Sequence, residues 1–468
     1  MAFEFAPSER VARIRSRIDH PIVDADGHLM EFFPLVLDLL REIAGGEVVA
    51  RFERYLGAAV APDRSEFAPA RVFWALSEKN TLDRLTVTLP ELMYRRLDEI
   101  GIDFALLYPT FGLTALALPD DELRQALVRA LNRYYTEVFA GHRDRLEPVA
   151  VISMFSPAEA LAELDYAVRQ RGLKAVVMGG VIPRAERPDG TKGAWLDTLG
   201  HESLYDYDPV WQRCLELGVT PSFHAVGYGW GSRVSARNYV YNHLGNFASA
   251  QEATCRSLVM GGVPRRFPEL RFAFLEGGVT WGCQLFADLL GHYEKRNREA
   301  VHHYDPREFD LALCGELFDA FARGPIAERR KHYEENAAQQ KRRPADDPLG
   351  YDDFAESRIR SAEDLVDVFT RQFSFGCEAD DPLSCLAFDR ARLPHRARLN
   401  ALFASDIGHW DVPDVREVLC EAYELVEHGQ LGDAEFREFS FANVVRMLRA
   451  GNPDFFEGTR VAAAARAV

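Results

Sequence analysis

Residues 22–28 read Ile22-Val23-Asp24-Ala25-Asp26-Gly27-His28. The stretch is a short apolar strand whose tip carries Asp26 and His28, and alternate residues of an extended backbone share a face. The two side chains therefore converge. Carboxylate oxygen with imidazole nitrogen is a mixed donor set suited to a divalent transition metal, and a catalytic ion needs three or four protein ligands and an open position. One pair is too few, so the rest of the chain must supply more.

Working outward, the same pattern recurs. Gly218-Val219-Thr220-Pro221-Ser222-Phe223-His224 is a strand that ends in a histidine, and Leu402-Phe403-Ala404-Ser405-Asp406 is one that ends in an aspartate. Ligand-type residues at the C-terminal tips of strands are the arrangement of a (β/α)8 barrel, where catalytic groups collect at that face. A lone histidine in an apolar run reads first as a hydrogen-bonded core residue; the shared strand-tip position of His28 and His224 shifts the reading to ligands.

Further short β-type runs alternate with amphipathic stretches, the pattern of a parallel sheet. Strands are expected at 104–108, 149–152, 175–178, 271–276 and 373–376, with helices over 90–100 and 124–142. Together with the three ligand-tipped strands this makes eight, and predicts an α/β fold, a single (β/α)8 TIM barrel spanning 1–468. Large inserted loops or helices follow strands 1 and 6, at 45–89 and 300–368, and are expected to act as lids or oligomer contacts because both follow strand C-termini.

Composition narrows the class. The chain has 468 residues, 47% hydrophobic and 27% charged, which suits a soluble globular protein. A net charge of −17 opposes binding to nucleic acid or to an anionic membrane, since both need clustered Lys and Arg. No run reaches the roughly 18 apolar residues of a membrane span, and Met1 to His20 has no apolar core of a signal peptide. Seven scattered cysteines without a Cys-x-x-Cys pair predict reduced thiols and a cytoplasmic protein.

Asp26-Gly27-His28, His224, the run Gly262-Val263-Pro264-Arg265-Arg266-Phe267-Pro268-Glu269-Leu270-Arg271 and Ser405-Asp406 together resemble the amidohydrolase-related (amidohydrolase family 2) metal-dependent hydrolases, the group with aminocarboxymuconate semialdehyde decarboxylase and γ-resorcylate decarboxylase. The resemblance covers roughly 20–300 and 368–455. It implies Asp26, His28, His224 and Asp406 as the metal ligands, Asp26 standing where many members have a histidine, and it allows a homo-oligomer. The decarboxylases carry a catalytic histidine before a glycine on strand 6, whereas this chain reads Glu276-Gly277 there.

That departure ranks the reactions. A bound divalent ion lowers the pKa of its water to about 7, and a carboxylate then orients that water or accepts its proton. Asp406 is the first candidate for this role, Glu276 the second, and His243 a candidate to polarise a carbonyl or donate a proton. The first expectation is a metal-dependent hydrolase of a small organic, aromatic-derived carbonyl substrate. A non-oxidative decarboxylase ranks second, and a non-catalytic metal-stabilised binding protein third. Two imidazoles suit zinc and two carboxylates move the set toward harder ions, so zinc is expected, with manganese as the alternative. Aromatic Phe73, Trp74, Tyr228 and Trp230 in the insertions are compatible with an apolar ring in the pocket. Lys174, His302 and His303 are read as surface or packing residues, His409 and Trp410 as loop packing, and the absence of Gly-x-Ser-x-Gly disfavours a serine hydrolase.

Overall fold

A computed structural model describes residues 3–60, 79–225, 233, 235, 238–341 and 352–468. Eight parallel strands follow one another in chain order around the sheet: β1 Val23–Leu29, β2 Phe104–Pro109, β3 Leu146–Ile152, β4 Ala175–Met178, β5 Pro221–Phe223, β6 Phe272–Phe274, β7 Phe373–Glu378 and β8 Asn400–Ala404. The amide of Asp406 donates to the Asp26 carbonyl at 3.0 Å and that of His28 to the Ile407 carbonyl at 3.0 Å, which brings the end of β8 onto β1. The (β/α)8 barrel read from the sequence is the fold. All eight expected strands are present, and the wall strands β1, β2 and β3 are buried at every residue, as a parallel sheet covered on both faces requires.

Local chemistry explains the helices that brace the barrel. The expected helix over 90–100 runs Pro90–Ile100. Proline at its first turn costs no hydrogen bond, and Gly101 ends it at φ 93°, where an added Cβ would lie 2.5 Å from Leu419. The expected helix over 124–142 runs Asp121–Val138, starting earlier because the Asp120 carboxylate caps the Leu123 amide at 3.0 Å. Its Arg124 is buried and held by Glu159 at 2.8 and 2.9 Å. Toward β5 and β6, the core is aromatic, with Phe274 5.6 Å from Phe223 and 5.3 Å from Phe373 between ring centroids.

The insertions differ from expectation in their limits. Position 45 does not begin a loop: a helix spans Phe33–Val60, kinked at Gly45 (φ 83°), and packs on Asp121–Val138. A short helix Thr81–Thr86 then reaches the barrel mouth, where the buried Arg96 guanidinium contacts Asp83 and Glu99 at 2.6 Å each, and Asp83 accepts the Val415 amide at 3.0 Å. After β6 come helices Thr280–Arg296, Leu311–Phe321, Gly324–Glu328 and Arg330–Lys341. A third insertion escaped the sequence reading, an antiparallel hairpin Ile182–Glu186 with Lys192–Asp197 after β4. Phe73, Trp74, Tyr228 and Trp230 lie outside the described residues. All seven cysteines are free, and no described helix is long and apolar enough to cross a membrane.

Candidate metal centre

The four residues proposed as ligands from the sequence meet at the C-terminal mouth. The His28 Nε2 atom is 3.6 Å from Asp26 Oδ1 and 3.4 Å from Asp406 Oδ1. The rings of His28 and His224 stand 5.2 Å apart at 78°. Glu276 joins them, its Oε2 2.7 Å from His224 Nε2. His409 completes the group, with Nδ1 2.6 Å from Asp406 Oδ1 and 3.6 Å from Glu276 Oε1, and its ring 3.8 Å from that of His28. His243 is not among the clustered residues. It ends the helix Tyr239–His243 and packs between Phe247 at 5.1 Å and Trp410 at 5.6 Å, as part of an aromatic wall beside the site.

Each element places its residue for a local reason. The β1–β2 register slips between Asp24 and Gly27, and Asp24, which alternates with Asp26 and His28, is fully buried. There its carboxylate accepts the Ser405 amide at 2.9 Å, the Ser405 hydroxyl at 2.5 Å and the Asp26 amide at 3.2 Å. One buried carboxylate thereby fixes both the β1 tip and the residue before Asp406. Gly27 is required by this lock, because an added Cβ would lie 2.5 Å from Asp24 Oδ2. Gly27→Ala is expected to lower stability by about 1–3 kcal/mol, the usual cost of overpacking, read as a reduced midpoint in thermal or urea unfolding. An unchanged midpoint would show that the lock yields without cost.

Glu276 and Asp406 both have positive φ, 55° and 49°. A non-glycine residue in this region costs of order 1–3 kcal/mol, and such strain concentrates where a site demands a particular side-chain direction. Two strained carboxylates at adjoining parts of one mouth are such a case. Below them, Tyr108 on β2 forms the floor, its ring 6.2 Å from His28 and its hydroxyl donating to Ser222 at 3.0 Å.

Burial dominates the electrostatics. Side-chain exposure runs from 0% for His28 to 9% for His409. Burial raises Asp26 to about 8, against the pull of His224, and raises Asp406 well above the carboxylate range, against His409. Asp24 is raised to about 6 for the same reason. Burial alone would raise Glu276 too, but His224 and His409 hold it below its ordinary value. In turn burial opposes charge on His224 and His409, and the facing carboxylates raise both, whereas His28, buried beside the other two imidazoles, is lowered well below the ordinary histidine value.

The donors fit a divalent ion. Asp26, His28 and His224 each offer a ligand atom, all within 4.8 Å of one another, as do His28, Glu276, Asp406 and His409. Although His224 Nε2 and Glu276 Oε2 are close, they lack hydrogen-bond alignment. Both atoms, with Asp26 Oδ1, His28 Nε2 and both oxygens of Asp406, are buried without a hydrogen-bond partner among the described residues. Buried polar atoms seldom go unpaired, and a cation is what carboxylate and imidazole lone pairs aimed at one another would share. The His224 Nδ1–H donates to the Ala225 carbonyl at 2.7 Å, which leaves Nε2 as the lone-pair nitrogen.

Three residues here were missed or undervalued in the sequence. Asp24 lies two residues before Asp26, and its alternation with Asp26 and His28 was the available signal. His409 was read as loop packing; its spacing of three from Asp406 was the only sign that it folds back. Tyr108 had none. By contrast Lys174 behaves as read: it precedes β4, at the end away from the mouth, and donates to the Phe455 carbonyl at 2.8 Å. His302 and His303 are exposed.

Solved structures share this shape. An amidohydrolase from Mycobacterium avium subsp. paratuberculosis K-10 is 17% identical, with 92% of this chain and 98% of that one covered at a TM-score of 0.51. A 5-carboxyvanillate decarboxylase from Sphingomonas paucimobilis is 13% identical over 92% and 99% at 0.47. A dihydroxybenzoic acid decarboxylase from Polaromonas sp. JS666, with bound manganese and 2-nitroresorcinol, is 13% identical over 94% and 99% at 0.48. At 17% identity the likeness to the first of these speaks for the fold alone. The family assignment comes from the sequence itself: a family model described as amidohydrolase matches residues 23–339, more than half of the 468 residues, and this chain belongs to the amidohydrolase family.

Proposed function

We propose that this chain is a metal-dependent carboxy-lyase that removes CO2 from a small organic acid without an oxidant. Hydrolysis ranked first in the sequence because strand 6 offers Glu276 where the decarboxylases have a histidine. The observation that reverses the order is His409, whose Nδ1 sits 2.6 Å from Asp406 and 3.6 Å from Glu276. An imidazole beside the two carboxylates, carried by the loop after β8, supports proton transfer at the site. Decarboxylases of dihydroxybenzoate and 5-carboxyvanillate share this barrel shape, and the same reaction is proposed here on the chain's own residues.

Asp26, His28, His224 and Asp406 would hold the ion, with Glu276 in reach as a further oxygen donor; that extra carboxylate moves the set toward manganese, while the imidazoles keep zinc suitable. When bound, such an ion supplies Lewis acidity toward a carboxylate or carbonyl oxygen. The chain does the rest. Breaking the C–CO2 bond leaves its electron pair on carbon, and the Asp406 carboxyl gives that carbon a proton. His409 returns a proton to Asp406. The near-complete burial of the cluster keeps water from the carbanionic carbon, and a carboxylate that loses its charge as CO2 is helped by a dry site.

The test is a panel of aromatic and aliphatic carboxylic acids, run in D2O on metal-loaded protein. Release of CO2 with one deuteron at the vacated carbon is the expected result. A product that gains a water oxygen, traced with H2(18)O, and no CO2 would establish hydrolysis instead.

A further inference from the structure

Beside the metal centre lies a pocket that the proposed chemistry does not use. His224 and Ala225 are among the residues that line it. Its walls come from three elements: Leu113 and Leu116 from the 3₁₀ helix Gly112–Ala117, Pro183 and Leu196 from the hairpin after β4, and Ala250 from the helix Asn246–Met260. Among the described residues no Lys, Arg, Asp or Glu lines it.

Apart from His224, the polar side chains that line it have partners already. The amide nitrogen of Gln251 donates to the carbonyls of Phe223 at 2.8 Å and Leu275 at 3.0 Å, and the Thr254 hydroxyl lies 2.9 Å from the Gly180 carbonyl and 3.0 Å from that of Ala250. The nearby cation is committed too: Arg184 meets Asp197 at 3.1 Å, the Phe155 carbonyl at 2.6 Å and the Tyr207 hydroxyl at 2.8 Å. These bonds hold the hairpin rather than face a ligand. Across the pocket, the buried Glu31 carboxylate accepts the amides of Phe111 at 3.0 Å and Gly112 at 2.8 Å and the Tyr135 hydroxyl at 2.8 Å, which fixes the 3₁₀ wall. The pocket is thus preformed and apolar, and it shares His224 with the centre. A charged group entering it would lose its water and find no counter-charge among the described lining residues.

We infer that this pocket receives an uncharged hydrocarbon part of the substrate while the reacting group lies over the metal centre. The inference rests on the proposed function for the word substrate, and it makes that substrate amphiphilic: a polar reacting end, and an apolar ring or chain that reaches toward Leu113 and Leu116. Specificity then resides in the insertions after β2 and β4, which differ from the lid segments expected from the sequence.

Toluene is the probe, titrated into the full-length protein and followed by ligand-observed NMR, with benzylammonium as its charged counterpart. Two substitutions fill the space: Ala117→Phe at the half-buried rim, and Gly179→Val, where a Cβ would meet Ile182 at 3.3 Å and Leu116 at 3.4 Å. Saturable toluene binding is expected in the wild type, at least about tenfold weaker in variants that keep the wild-type melting temperature and metal content, with benzylammonium at least about tenfold weaker than toluene. Toluene binding that is absent, unchanged in both variants, or matched by benzylammonium would overturn the inference. Because the probe needs neither metal nor turnover, a failed decarboxylation assay leaves this result to be read separately.

Discussion

Protein carrying His224→Ala is expected to lose both its ion and its activity. A catalytic centre keeps about three or four protein ligands, and His224 is the donor from β5, on the far side of the centre from the β1 pair. Its Nδ1–H is tied to Ala225, so the ring is already oriented with Nε2 toward Glu276 and the cluster. Alanine removes the donor and leaves Glu276 facing an empty volume, with its main counterpart gone. Elemental mass spectrometry should find about one zinc or manganese ion per wild-type chain and little in the variant. A Lewis acid contributes several kcal/mol to the transition state, so turnover should fall by about 10³-fold or more. His28→Ala should do the same, because its Nε2 faces both Asp26 and Asp406. Full metal content in both variants would remove this assignment of ligands. A wild-type protein that stays metal-free after incubation with zinc, manganese and iron would restore the non-catalytic binding-protein reading.

The second large effect is expected at Asp406. Asparagine is nearly the same size and is among the residues that best tolerate the φ of 49° found here, so Asp406→Asn should fold with little loss of stability. It still presents an oxygen to the centre but has no carboxyl proton to give. Positioned proton transfer contributes typically about 10²–10⁴-fold, and a loss of that size in kcat is expected, with metal content reduced less than in His224→Ala. A partial second effect should appear in His409→Ala, which keeps the Asp406 carboxyl but removes the imidazole 2.6 Å from it. Activity of Asp406→Asn within a few-fold of wild type would assign the proton to another group, with Glu276 the first to examine.

Much of this was legible in the sequence because it is local. A strand of period two that stops at a ligand-type residue announces itself in a few positions, and so β1, β5 and β8 with Asp26, His28, His224 and Asp406 could be picked out, and eight β-then-α units counted. Where the barrel closes, long-range contacts decide. Nothing near Asp24 in the chain shows that Ser405, 381 residues away, will supply two of the three donors to its carboxylate, nor does Glu276 reveal that His409 will come within 3.6 Å of it. The positive φ of Glu276 and Asp406 follows from the same closure, since each strand tip must turn its carboxylate inward at a height set by its neighbours. His243 shows the converse: its sequence context suggested chemistry, but packing places it among Tyr239, Phe247 and Trp410 instead. The chain's alternation of apolar runs and ligand residues determined the barrel and the residues at its strand tips; register, closure and burial, which exist only once distant segments pack, decided which of those groups face one another and which apolar walls meet beside them.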